Sequence, residues 1–155
     1  MRLTIGLMAC LLFVAAEDKT KDKPAGADPL TGTWKVESLV ADGQEREEAK
    51  GSTFVFQDGK LSWKSERGER NWKYKLDTSK KPATIDLTVV GGNRDGTQTK
   101  GIFEVKGDDL KMNVTYMPDV DRPKDFSNSD GGLALITLKR DAGGKAEGKV
   151  ETKPK

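Results

Sequence analysis

The sequence predicts an all-β domain, an eight-stranded antiparallel up-and-down barrel spanning residues 30–140 of the 155. Three observations predict it. Apolar residues recur at every second position through that window, the period of a strand with one buried face. The connections between these runs are too short for the crossovers that a parallel sheet needs. Seven of the eight runs are apolar on one side only, so together they form one continuous apolar face. Such a sheet curls and closes, and closure removes its edges. A β-sandwich of the same strands is the alternative.

The runs follow in order. GTWKVESLV (32–40) puts Trp34 and Val36 on one face, and STFVFQ (52–57) pairs Phe54 with Phe56. KLSWKS (60–65) pairs Leu61 with Trp63, and RNWKYKLD (70–77) aligns Trp72, Tyr74 and Leu76 against Lys73 and Lys75. TIDLTVV (84–90) aligns Ile85, Leu87 and Val89, and GIFEVK (101–106) pairs Phe103 with Val105. DLKMNVTYM (109–117) aligns Leu110, Met112, Val114 and Tyr116. The last run, GLALITLKR (132–140), is apolar on both faces. Asp58-Gly59 is a hairpin signal, because both central residues of a tight hairpin turn take positive φ. EREEAK (45–50) is the one segment that reads as helix.

Outside this window the text changes. Met1-Arg2 is followed by an apolar stretch over residues 3–16, and charge resumes with EDKTKDK. This order is that of a cleaved secretory signal, with Val14-Ala15-Ala16 at the cut. The expected parts are a signal peptide at 1–16, a disordered linker at 17–29, the barrel at 30–140 and a disordered tail at 141–155. The apolar stretch falls short of the roughly 20 residues that span a bilayer. Lipid attachment at Cys10 is the minor alternative, opposed by the apolar run that continues through Leu11, Leu12 and Phe13.

Composition excludes several functions. Removing Arg2 with the signal leaves 26 basic and 25 acidic residues. That balance makes no electrostatic case for nucleic acid. There is no histidine, and Cys10, the single cysteine, lies in the signal. The commonest zinc ligands and the commonest general base near neutral pH are therefore missing from the mature chain. No cofactor, metal site or catalytic residue is expected, and the chain reads as a monomer that is not an enzyme.

LTGTWKV at the start of the first strand resembles the lipocalin signature. In that family a tryptophan closes the barrel floor and an arginine of the last strand crosses its ring. Here Gly32, Trp34 and Arg140 match those positions. A guanidinium on a tryptophan face gains roughly 0.5–2 kcal/mol, and this contact would tie the first strand to the last. The span from Leu30 to Arg140 is similar to an uncharacterised lipocalin-like domain family found chiefly in planctomycete bacteria. LTGTWKVESLVADGQE, KKPATIDLTV, GIFEVKGDDLKM, DRPKDFS and LITLKR carry the likeness. The resemblance implies a barrel and an exported (periplasmic or extracellular) setting. The family has no established activity, so it supplies no catalytic residues. The chain lacks the cysteine pair and the helix after the last strand of ligand-carrying lipocalins.

The function expected is a non-catalytic module that binds a small apolar ligand or an envelope protein. The alternative is a structural or interaction domain with a filled core. The ligand-lining candidates are Phe56, Trp63, Trp72, Tyr74, Phe103, Met112 and Tyr116. Eight-stranded barrels have room for side chains or for one small ligand, and so many aromatics favour a filled core or a small cavity at one mouth. The two-sided last strand requires an outer cover. The loop from Pro118 to Gly131 is the candidate latch, with Phe126 as anchor and Arg122 and Asp125 as polar partners. GGNRDG (91–96) reads as a hairpin loop, because no helix N-terminus follows it to receive a phosphate.

Overall fold

A computed structural model describes residues 28–127 and 131–143. The signal peptide, its cut after Ala16, Cys10, most of the linker and most of the tail lie outside the described residues.

Nine strands form one antiparallel sheet. They are β1 (Gly32–Ala41), β2 (Gln44–Glu45), β3 (Thr53–Gln57), β4 (Lys60–Ser65), β5 (Gly68–Asp77), β6 (Ala83–Val90), β7 (Gln98–Lys106), β8 (Asp109–Thr115) and β9 (Leu133–Arg140). Sequential neighbours pair from β3 to β9, β1 pairs with β3, and β1 also pairs with β9. That last pairing closes an eight-stranded barrel, with β2 as a two-residue spur on β1. All eight expected strands are present.

β1 carries the seam in two halves. Its first residues pair with β3, from Gly32↔Phe56 to Lys35↔Thr53. Its pairing with β9 shifts register between Val36 and Ser38, which marks a bulge at Glu37. Trp34 and Val36 face inward before the bulge, and Leu39 and Ala41 after it. The extra residue restores the inward phase and adds local twist.

Two differences from the sequence reading concern the segment after β1. Asp42 and Gly43 both have positive φ and form a second tight hairpin turn, between β1 and β2. The helix expected at 45–50 is a single 3-10 turn at Glu47–Ala49. It has one buried residue, Ala49, so no apolar stripe exists to support further turns.

The interior is one cluster of buried side chains. Trp34, Phe54, Phe56, Tyr74, Ile85, Phe103, Leu110, Met112, Ile136 and Leu138 belong to it. At the floor, Leu30 is buried, and the Trp34 indole donates to its carbonyl at 2.7 Å. The ordered fold begins before Leu30. Asp28 accepts a hydrogen bond from Leu30 N at 2.8 Å and another from the Tyr74 hydroxyl. Burial, then that hydrogen bond, push the Tyr74 phenol well above its ordinary range.

The outer face is covered over β7 and β8. Ile102, Asn113 and Thr115 point outward, yet they are 2%, 0% and 2% exposed. Leu133 of β9, also outward, is buried. The segment 117–127 crosses this patch. Arg122 Nη1 donates to the carbonyls of Ile85 (3.1 Å) and Gly101 (2.7 Å), and Nη2 reaches Asp86 at 2.5 Å. Asn113 Nδ2 donates to the Asp125 carbonyl at 2.9 Å. The Phe126 ring lies 5.5 Å from Lys111 Nζ. The loop therefore sits over the two-sided end of the sheet. It also buries Asn113, the first residue of Asn113-Val114-Thr115, a triplet of the glycan-acceptor type.

Candidate functional site at the barrel mouth

The two ends of the barrel differ. At the floor, Trp34 and Arg140 are cross-strand partners, and the guanidinium carbon stands 4.0 Å from the ring centroid. The same guanidinium donates to Thr31 O at 3.0 Å and to Pro29 O at 3.4 Å. Gly32 has φ 126°, and a Cβ there would stand 3.0 Å from Arg140 Nη1. Glycine is thus required twice, for its backbone angle and for the close approach of the guanidinium. The three barrel-closing residues come together, and segment 28–31 seals this end.

The mouth is the opposite end, where β1 and β8 finish and β9 begins. The ligand-lining candidates of the interior divide by height. Phe56, Tyr74, Phe103 and Met112 are buried in the cluster. Trp63, Trp72 and Tyr116 pack against it but stay half-buried. Of the seven ligand-lining candidates, these three are placed to meet a ligand from solvent.

Trp63 and Trp72 stack with centroids 6.5 Å apart and an interplanar angle of 24°. Trp63 is held from both sides. Its indole donates to Ser52 Oγ at 2.8 Å, and Phe54 packs 5.6 Å away. Ser52 Oγ in turn donates to Ala49 O at 2.5 Å, so the 3-10 turn positions the tryptophan. Arg70, the cross-strand partner of Trp63, lies 5.7 Å from its ring. Val89 pairs with Trp72 and continues the apolar wall. Thr99 is opposite Leu87 and hence faces inward, and it is buried.

The far wall carries Tyr116. Its hydroxyl donates to Asp42, which also accepts from Gly132 N at 3.3 Å. Arg94 Nη2 donates to the Tyr116 carbonyl at 2.8 Å. The Tyr116 hydrogen bond holds the Asp42 carboxyl below its usual range and raises the Tyr116 phenol. The two hydrogen bonds to Asp42 pin the turn of β1–β2 to the ends of β8 and β9.

No model of a known protein family matches the chain, and no curated protein matches it. Among solved structures, it is similar to an uncharacterised protein from Bacteroides eggerthii. The identity is 16%, the match covers 71% of this chain and 98% of that one, and the TM-score is 0.43.

Arg70, Ser52, Thr99 and Asp42 are missing from the sequence-based candidates. Arg70 was legible in part, since it shares the parity of Trp72 and Tyr74 on β5. Its charge argues against an inward place in a closed interior, but at a mouth the head reaches solvent. Asp42 carries the same Asp-Gly signal as the 58–59 turn. Among the described residues, no helix is long and apolar enough to cross a membrane, and no group of His, Cys, Asp or Glu is arranged for a metal.

Proposed function

We propose that the protein is an exported, non-catalytic, lipocalin-like binding module that takes one small apolar ligand at the barrel mouth. The observation that carries this reading is the half-buried stack of Trp63 and Trp72 above a buried interior, with Arg70 over it. A stacked indole pair offers a large apolar surface at little conformational cost, and a ligand seated on it removes that surface from water. The Arg70 guanidinium favours a ligand with an anionic head. What supports the lipocalin-like assignment is the barrel together with Gly32, Trp34 and Arg140. The planctomycete family rests on the resemblance alone, and the export reading rests also on the apolar start at residues 3–16.

Decanoate, an apolar chain with a carboxylate, tests the site through tryptophan emission. Saturable one-to-one binding is expected, weakened about tenfold or more by Trp72→Leu and several-fold by Arg70→Gln. Native mass spectrometry of protein from its host looks in parallel for a co-purifying small molecule. Binding that ignores Trp72→Leu overturns the site. No binding of decanoate and no co-purifying molecule together favour a filled structural barrel. Export has its own test. N-terminal sequencing of the native protein is expected to start at Glu17, and a start at Cys10 bearing lipid would replace secretion with anchoring.

A further inference from the structure

The outer face of β3, β4 and β5 carries charge that the barrel does not use. Lys60 and Lys73 stand directly opposite each other in the β4–β5 ladder. Like charges at such a pair repel and destabilise a sheet. Their next neighbours on either side, Gln57 and Thr88, are uncharged. Lys75 follows Lys73 on the same face, and all three lysines are exposed. Two rows further toward the mouth, Lys35 and Lys64 flank Thr53. None of these five lysines has a carboxylate within ion-pair distance among the described residues. The acids directly opposite Lys64 and Lys75 in the ladders are Glu69 and Asp86, and both are engaged by other groups. Glu69 accepts from Ser62 Oγ at 2.6 Å, and Asp86 is taken by Arg122.

Between the two lysine rows runs a lane of uncharged residues, which the Glu69 carboxylate touches only at Ser62. Thr33, Val55, Ser62, Asn71 and Val90 are successive cross-strand partners over five strands. Val90 at its end is 42% exposed. With strands about 4.8 Å apart, the lane is roughly 19 Å long, and the lysine rows stand about 13 Å apart across it.

The geometry points to a docking surface for a linear acidic polysaccharide, laid along this lane with its carboxylates toward the flanking lysines. Charge complementarity selects an anionic polymer, since the face is basic while the whole chain is nearly neutral. The lane selects a sugar polymer. Thr33 and Asn71 offer hydrogen-bonding groups to hydroxyls. The lane itself has no aromatic ring to stack a base and no arginine to fork onto a phosphate. The preference over nucleic acid also rests on the export reading, whereas the surface is independent of the mouth.

Polygalacturonate is the probe, with the full mature chain and with duplex DNA of matched charge in parallel. A Lys60→Gln, Lys73→Gln, Lys75→Gln triple variant removes the basic row. Lys50→Gln, Lys106→Gln, Lys139→Gln is the control of equal charge change, drawn from lysines already paired with acids. Binding to polygalacturonate is expected to weaken with salt. The first triple should reduce it tenfold or more, and its salt slope should fall by roughly two to three. The control should stay within about twofold of the parent. The first triple should melt no lower than the parent, because it relieves the Lys60–Lys73 repulsion. Three results overturn the proposal: no binding at low salt, equal losses in both triples, or tighter binding of DNA than of polygalacturonate. Loss of decanoate binding in the first triple would mark a folding defect and would also overturn it.

Discussion

Trp34→Ala is expected to cost roughly 3–5 kcal/mol, the range for a large aromatic removed from a packed core. Trp34 is fully buried, its indole satisfies the Leu30 carbonyl, and its ring supports the Arg140 guanidinium. Arg140→Ala is expected to cost about 1–2 kcal/mol, through lost ring stacking, aliphatic packing and the bonds to Thr31 and Pro29. Arg140→Lys should recover less than half of that, because an ammonium lacks the planar fork that serves both carbonyls while lying on the ring. The costs should not add. Each residue completes the other's contact, so the double variant should fall short of the sum by about 1 kcal/mol. Urea unfolding of the parent, the two single variants and the double variant measures the coupling. Additive costs would mean that the ring contact contributes nothing to stability and that the seam is held by the β1–β9 ladder alone.

The seam shows which parts of this molecule could be read from its sequence. A period of two states which face a side chain takes, and here it located all eight barrel strands. It says nothing about height along the barrel, which depends on register between strands. Phe56 and Trp63 look alike in their runs, yet one is buried and the other half-open at the mouth. The β1–β3 register places Phe56 beside Gly32 at the sealed floor. The difference between core and site was therefore illegible until the ladders were aligned. The bulge at Glu37 was legible as a break of phase between Val36 and Leu39. β5 and β7 open without apolar residues, Gly68-Glu69-Arg70-Asn71 and Gln98-Thr99-Lys100-Gly101, so their alternation enters late. The contacts of residues 28–29, at the end of the expected linker, were illegible for a different reason. Asp28 and Pro29 are ordered by distant groups, Tyr74 and Arg140, and no local pattern encodes such a contact.

Height also governs the second large effect, because segment 117–127 leaves β8 at the mouth while its anchors lie down the outer wall. Arg122→Met is expected to cost about 2–3 kcal/mol. Its pair with Asp86 is partly exposed, with side chains 30% and 58% open, and contributes little on its own. The bonds to the Ile85 and Gly101 carbonyls matter more, because they come from a charged donor under the loop. Phe126→Ala should cost about 1–2 kcal/mol for a half-buried ring that covers the side of β8. Both changes should lower the melting temperature and raise binding of an apolar surface dye, since Ile102, Thr115 and Leu133 would lose their cover. We propose that the loop is a latch, and on that reading decanoate binding at Trp63 and Trp72 stays within about twofold of the parent. A gate would behave in the opposite way. An unchanged melting temperature with a large change in decanoate affinity would assign the loop to the mouth instead of the wall.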